Sequence, residues 1–229
     1  MKTRLFQILF FSFSSIAQVL AQGETQLGIK AGFTSATISG SDVNQLSSNG
    51  TPTALQGFNF GLYVNSKIAK NFWIKSELIT IQKGAVLQTK DASGMATQSH
   101  LKSSYVDLYP ISPTLHWKGF QVLAGPYVSM LLKSTIQDTS VFGAPQNLSI
   151  YRQKLDAGIV LGAEYEFKER ISIGIRYTKG FVPLFEQPGN LVTSPGKTPA
   201  VQNIYNESVS VSVGYSFGKR TKDKEKNKP

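Results

Sequence analysis

Alternation dominates this chain. Eight stretches place apolar and polar residues at alternating positions, the period-two signature of strands with one apolar face. The first, near Gln26 to Ser39, sets Leu27, Ile29, Ala31 and Phe33 against Gly28, Lys30, Gly32 and Thr34. The second, Gln56 to Asn65, sets Phe58, Phe60, Leu62 and Val64 against Asn59, Gly61, Tyr63 and Asn65. The third, Phe72 to Gln88, puts Phe72, Ile74 and Leu78 on one face and Trp73, Lys75, Glu77, Ile79 and Lys83 on the other. The fourth, Tyr105 to Trp117, opposes Val106 and Leu108 to Asp107 and Tyr109 before Pro110 and Pro113 interrupt it.

The fifth, Phe120 to Lys133, aligns Val122, Ala124, Val128, Met130 and Leu132. The sixth is the clearest. Over Leu155 to Phe167 it opposes Ala157, Ile159, Leu161, Ala163, Tyr165 and Phe167 to Asp156, Gly158, Val160, Gly162, Glu164 and Glu166. The seventh opposes Ile171, Ile173, Ile175 and Tyr177 to Ser172, Gly174, Arg176 and Thr178. The eighth opposes Val209, Val211, Val213, Tyr215 and Phe217 to Ser208, Ser210, Ser212, Gly214 and Ser216.

The connections alternate in length. Gly40–Leu55, Thr89–Ser104, Ser134–Lys154 and Val182–Asn206 are long; Ser66–Asn71, Lys118–Gly119 and Lys168–Arg170 are short. This rhythm predicts an all-β fold, an eight-stranded antiparallel up-and-down transmembrane β-barrel. Short turns and both termini then face the periplasm, and the four long loops face outward. Aromatic residues gather at strand ends (Phe72, Trp73, Trp117, Phe120, Tyr165, Phe167, Tyr177, Tyr215, Phe217), as a membrane interface favours. Near the loop bases, Tyr105, Tyr151 and Phe181 are open to two readings, partner anchors or an outer aromatic girdle. A secreted soluble β-barrel binding an apolar ligand is the inverted alternative, with the apolar face inward.

Three prolines interrupt this pattern, since each removes a ladder donor. If Trp117 pairs with Phe120, Pro110 falls nearly opposite Tyr127 and Pro113 opposite Ala124, which predicts a bulge in that hairpin. Pro126 lies in the same hairpin.

Composition changes the picture in four places. Met1 to Ala21 reads as a signal peptide, with Lys2 and Arg4 before an apolar run and Val19-Leu20-Ala21 at the cut. Residues 22–217 then form the barrel domain, and 218–229 a basic periplasmic tail expected to be disordered. Mean hydropathy is only −0.12, which suits strands that show lipid every second residue. There is no cysteine, so neither disulfides nor thiolate metal sites are available. Of the net charge of +10, the leader carries +2 and the tail +4, leaving +4 on the barrel, so the pI near 9.7 does not imply nucleic acid.

The chain resembles the PorT-like outer-membrane β-barrel family of Bacteroidetes-type bacteria. The similarity rests on Gly28-Ile29-Lys30-Ala31-Gly32-Phe33, Glu77-Leu78 with Gln82-Lys83-Gly84, and Tyr105-Val106-Asp107-Leu108 followed by Pro110. It continues through Ala124-Gly125-Pro126-Tyr127, Asp156-Ala157-Gly158 with Gly162, Arg176-Tyr177 with Gly180, and Gly214-Tyr215-Ser216-Phe217. Departures are Ile79-Thr80 where an aromatic is usual, an extra Tyr109, and the charged tail. The resemblance implies the fold and a cell outer-membrane location, not one shared activity.

Lys75, Glu77, Lys83, Asp107, Asp156, Glu164 and Arg176 are predicted to point into the barrel. An eight-stranded lumen is about wide enough for side chains alone, so a structural interior charge network is expected, with a gated solute path as the alternative. Only His100, in a long loop, and His116, by a periplasmic turn, are available, and no Ser–His–acid arrangement is found. No catalytic, cofactor-binding or metal residue is assigned. Asn147-Leu148-Ser149 and Asn206-Glu207-Ser208 match a glycosylation sequon at chance level. The expected role is a structural, accessory or adhesion-type envelope protein, monomeric, contacting outer-membrane lipid and no nucleic acid. Room remains for an envelope or secretion-system protein partner. A narrow porin or transport-associated barrel is the alternative.

Overall fold

A computed structural model describes residues 24–46, 51–90, 94, 96–138, 146–148, 153–167, 170–185 and 203–217. The leader 1–21 and the tail 218–229 lie outside the described residues, as does Tyr151. The strands are β1 (Thr25–Ser39), β2 (Thr53–Ala69), β3 (Phe72–Lys90), β4 (Ala96–Trp117), β5 (Phe120–Asp138), β6 (Leu155–Phe167), β7 (Ile171–Gly180) and β8 (Tyr205–Ser216). Each pairs antiparallel with its chain neighbours, and β1 closes the ring on β8 from Gly28↔Ser216 to Ser39↔Tyr205. A two-residue strand, Gln146–Asn147, pairs antiparallel with β5 at Thr135 and Ile136, and a single helical turn, α1 (Val43–Leu46), follows β1. Closure leaves no unpaired edge around the ring, which suits a backbone surrounded by lipid.

Local chemistry sets the turns. Lys118 and Gly119, with φ of 49° and 91°, form the two-residue link between Trp117 and Phe120, the doubly left-handed turn that matches strand twist. The prolines break the β4–β5 ladder between Leu108 and Thr114, as expected from their missing donors. On the other side of β4, Ser76 of β3 opposes both Pro110 and Ile111, and its hydroxyl donates to the Pro110 carbonyl at 2.6 Å. The bulge therefore keeps its released acceptor satisfied.

Strand lengths depart from the sequence expectation. The described part of Thr89–Ser104 is strand: β3 and β4 stay paired up to Lys90↔Ala96, and His100 sits in β4. Here both faces carry polar residues, so hydrophobic alternation falls silent while the hydrogen-bond ladder continues. β4 has 22 residues, against 10 in β7 and 12 in β8. At about 3.3 Å per residue, β4 is far longer than the roughly 9–11 residues a crossing strand needs. The β3–β5 side of the barrel therefore extends well beyond the apolar band.

Outside, large apolar side chains are exposed around the ring, among them Phe33 (67%), Phe58, Phe60, Leu115, Trp117, Val122, Ile175 and Val213. Inside, Lys30, Lys75, Glu77, Lys83, Asp107, Asp156, Glu164 and Arg176 are each 5% exposed or less. A water-soluble fold puts these faces the other way round, so the soluble-barrel alternative is overturned. Among the described residues no helix is long and apolar enough to cross a membrane; strands do the crossing.

The lumen is not polar throughout. Ile79, Ile81, Tyr105, Tyr109, Leu123, Tyr127, Leu131 and Val160 form one buried apolar cluster, because β3, β4 and β5 carry large apolar residues at inward positions. A second cluster at the far strand ends joins Ile38, Ala85 and Leu87 to Val43, Leu184 and Ile204. Leu184 N–H donates to the Ile204 carbonyl at 2.9 Å, tying the two loop segments together. Glycines directly across the ladder from Tyr63 and Tyr127 leave room for their rings. A Cβ on Gly28 would lie 2.2 Å from the Tyr63 ring, and one on Gly158 would lie 2.8 Å from the Tyr127 ring.

Candidate functional site

The charged lumen is built by parity. Inward positions of β1, β3, β6 and β7 bring Lys30, Lys75, Glu77, Glu164 and Arg176 together in the half of the barrel nearer the short turns. Lys30 Nζ donates to Glu77 Oε1 at 3.2 Å and to Glu164 Oε1 at 3.0 Å. Arg176 Nη2 donates to Glu77 Oε1 at 2.9 Å and to Glu164 Oε1 at 2.6 Å, while Nη1 reaches Glu77 Oε2. Lys75 pairs with Glu164 and donates to Gln121 Oε1 at 3.4 Å. Because β3 and β7 are four strands apart in a ring of eight, the Arg176–Glu77 pair crosses the full lumen.

Nearer the outer end is a second cluster with another chemistry. Lys83 pairs with Asp107 at 2.8 Å and lies 4.0 Å from Asp156. Its ammonium sits 4.6 Å from the Tyr127 ring centroid and 5.1 Å from that of Tyr105, within cation–π range. Neutral donors complete the carboxylates. Tyr109 OH donates to Asp107 Oδ2 at 3.1 Å, and Ser129 Oγ donates to Asp107 Oδ1. Asp156 Oδ2 accepts from Asn206 Nδ2 at 2.9 Å and from Tyr127 OH at 3.2 Å. Asn206 also donates to Tyr105 OH at 3.4 Å, again linking strands on opposite sides of the ring.

Tyr109 joins the two clusters. Its hydroxyl serves Asp107, and the Arg176 guanidinium carbon lies 5.8 Å from its ring centroid. The seven residues named from the sequence all lie in the lumen, divided between these clusters. Lys30, Tyr105, Tyr109, Tyr127, Ser129 and Asn206 were not foreseen as members. Lys30 carried a signal, since it shares the inward parity of Gly28 and Thr34. Tyr109 also carried a signal, since it shares the parity of inward-facing Asp107.

Two sequence readings need correction, and the chance-level sequon match at Asn206 stands as read. Tyr105 is fully buried over Lys83, so it belongs neither to an outer girdle nor to a partner anchor; positions 105, 107 and 109 all face inward. Trp73, grouped with the girdle, instead stacks inside on His116 with centroids 4.9 Å apart. Asn206 of the second sequon is buried and holds Asp156. Phe181 is exposed, as either of its readings requires.

Chemically, the lumen is a set of braces. Lys83 already occupies the space between Asp107 and Asp156, where a cation would otherwise go. No group of three metal-ligating side chains occurs among the described residues. His100 and His116 lie 16 positions apart on β4 and cannot share a reaction centre.

A family profile described as "Outer membrane protein beta-barrel domain" matches residues 16–186. Among curated proteins none matches the chain. Among solved structures, Neisserial surface protein A is similar at 14% identity, covering 85% of this chain and 99% of its own, with a TM-score of 0.47. OprG from Pseudomonas aeruginosa is similar at 14% identity, with 86% and 98% covered and a TM-score of 0.46. Ail, the attachment invasion locus protein of Yersinia pestis, solved with the heparin analogue sucrose octasulfate, is similar at 11% identity, with 85% and 99% covered and a TM-score of 0.43.

Proposed function

This chain belongs to the outer membrane protein beta-barrel domain family and resides in the outer membrane, and on that premise we propose that it is a braced, non-conducting, non-enzymatic barrel. Its work is then done at its outward-facing end, in a structural, accessory or adhesion-type role in the envelope. The observation that carries this reading is the Arg176–Glu77 pair crossing from β7 to β3. A conducting lumen needs a continuous wet path. Here both walls send long side chains to the axis, where they meet.

A second brace, Asn206 to Asp156 and Tyr105, lies above the first. The apolar cluster of Leu184, Ile204 and Val43 closes over both. Wetting such a constriction is unfavourable, which supports a closed rather than a gated barrel. The long β3–β5 sheet is the surface a protein partner would meet, since functional variation concentrates beyond a rigid scaffold. The ordered motifs from Gly28 to Phe217 support a place among the PorT-like barrels within the wider family.

The test is conductance of the purified full chain in planar lipid bilayers. The expected outcome is no stable channel steps. Regular, long-lived steps would overturn the reading in favour of a narrow porin.

A further inference from the structure

The upper edge of the apolar band is uneven in charge. On β1 and β2 it ends in neutral residues, Ser35 and Gln56, which hydrogen-bond to each other at 3.1 Å. On β3 it ends in Thr80. On β7 and β8 it ends in Lys179 and Glu207, which neutralise each other at 2.8 Å. On β4, β5 and the residue leading into β6 it ends in three exposed lysines, Lys102, Lys133 and Lys154. No described carboxylate pairs with any of them.

Register places these three lysines together. Lys133 lies opposite Ser104, two residues from Lys102, and the Lys154 carbonyl accepts from Leu131 N–H at 2.8 Å, which sets exposed Lys154 on the rim, one residue above lipid-facing Leu155. Neighbouring strands lie about 4.8 Å apart, so long lysine side chains on three successive strands can converge on one group. Immediately below them Met130, Leu132 and Leu155 are exposed on the lipid face. The patch is thus continuous with the lipid contact and positive only in this sector.

We propose that Lys102, Lys133 and Lys154 bind the phosphate groups of an outer-leaflet glycolipid, whose acyl chains lie on the apolar face of β5 and β6. Three ammonium groups above an apolar wall match a phosphorylated head above hydrocarbon tails. The sector is specific because the rest of the upper edge offers an incoming phosphate no unneutralised cation among the described residues. The periplasmic edge is different in kind: Lys70, Lys118 and Arg170 are spread one to each turn.

The test uses the full chain folded in detergent, titrated with bisphosphorylated lipid A and with the same lipid after both phosphates are removed, binding being read by native mass spectrometry. The unmodified protein should prefer the phosphorylated lipid by at least about tenfold, since each lysine near a charged surface contributes on the order of a factor of five. The K102Q/K133Q/K154Q variant should lose this preference. A K70Q/K118Q/R170Q variant, equal in charge change, should keep it. Heat-shifted gel migration verifies that each variant is folded. Equal binding of the two lipids by the unmodified protein overturns the proposal, whatever the variants do. So does an unchanged preference in K102Q/K133Q/K154Q, or equally tight binding of phosphatidylglycerol.

Discussion

The two storeys of the lumen solve the same problem differently. The lower one holds three cations, Lys30, Lys75 and Arg176, with two carboxylates, Glu77 and Glu164. The upper one holds one cation, Lys83, with two carboxylates, Asp107 and Asp156. Counted over these ion pairs, the lower storey has one cation more than carboxylates and the upper one fewer; buried Glu166, which accepts from Gln121 Nε2 at 2.7 Å, adds a further inward carboxylate at the lower end. Where carboxylates are in excess, hydroxyls and an amide supply the missing donors: Tyr109, Ser129, Tyr127 and Asn206. Where cations are in excess, aromatic faces receive them: Tyr63 lies 5.1 Å from Lys75, and Tyr109 lies 5.8 Å from Arg176. Below, charge is held mainly by charge; above, it is held mainly by neutral dipoles.

This difference predicts unequal sensitivity. Arg176 contacts both lower carboxylates and bridges opposite walls, so Arg176→Met should have the largest effect. It leaves Glu77 and Glu164 sharing only Lys30 and Lys75, and roughly 3–5 kcal/mol of stability should be lost, as when one partner is removed from a buried ion pair. Urea unfolding of the micelle-bound barrel, followed by the heat-shifted gel band, measures this. A loss below about 1 kcal/mol would mean that water, rather than the guanidinium, carries these carboxylates.

The upper storey should tolerate loss of its cation better. In Lys83→Met, Asp107 keeps Tyr109 and Ser129, and Asp156 keeps Tyr127 and Asn206. The expected loss is about 2 kcal/mol, the scale of a hydrogen bond to a charged group. The same urea series reads it. If Lys83→Met costs as much as Arg176→Met, the contrast between charge-held and dipole-held storeys is wrong.

Much of this arrangement could be read before any coordinates, but unevenly. Over Leu155–Phe167 Val160 is the one apolar residue on the polar face, and β6 occupies those same residues with Asp156, Val160 and Glu164 inward. Pro110 and Pro113 announced the break in β4 because a missing donor is a local property. The start of β4 was hidden, since Thr97, Ser99 and Ser103 face inward against an outward face that is also polar. Pairing across the lumen was hidden for a different reason. Parity tells which residues face in, but their heights depend on strand stagger around the closed ring. That Arg176 meets Glu77, 99 positions away, follows only once β3 and β7 are known to stand opposite each other.

The finest distinction concerns a single hydroxyl in the upper storey. Tyr127→Phe removes the 3.2 Å bond to Asp156 but leaves the ring, 4.6 Å from the Lys83 ammonium and 5.9 Å from the Tyr109 ring. Alone it should cost only about 1 kcal/mol, because Asn206 still donates to the same carboxylate oxygen at 2.9 Å. In the Lys83→Met background the same change should cost more, since Asn206 then becomes the remaining described donor to Asp156. A double-mutant cycle over Lys83 and Tyr127 should therefore give a coupling of about 0.5–1 kcal/mol. Zero coupling would show that the ammonium and the phenol act on Asp156 independently, and the upper storey would then be a set of separate pairs instead of one shell around a shared charge.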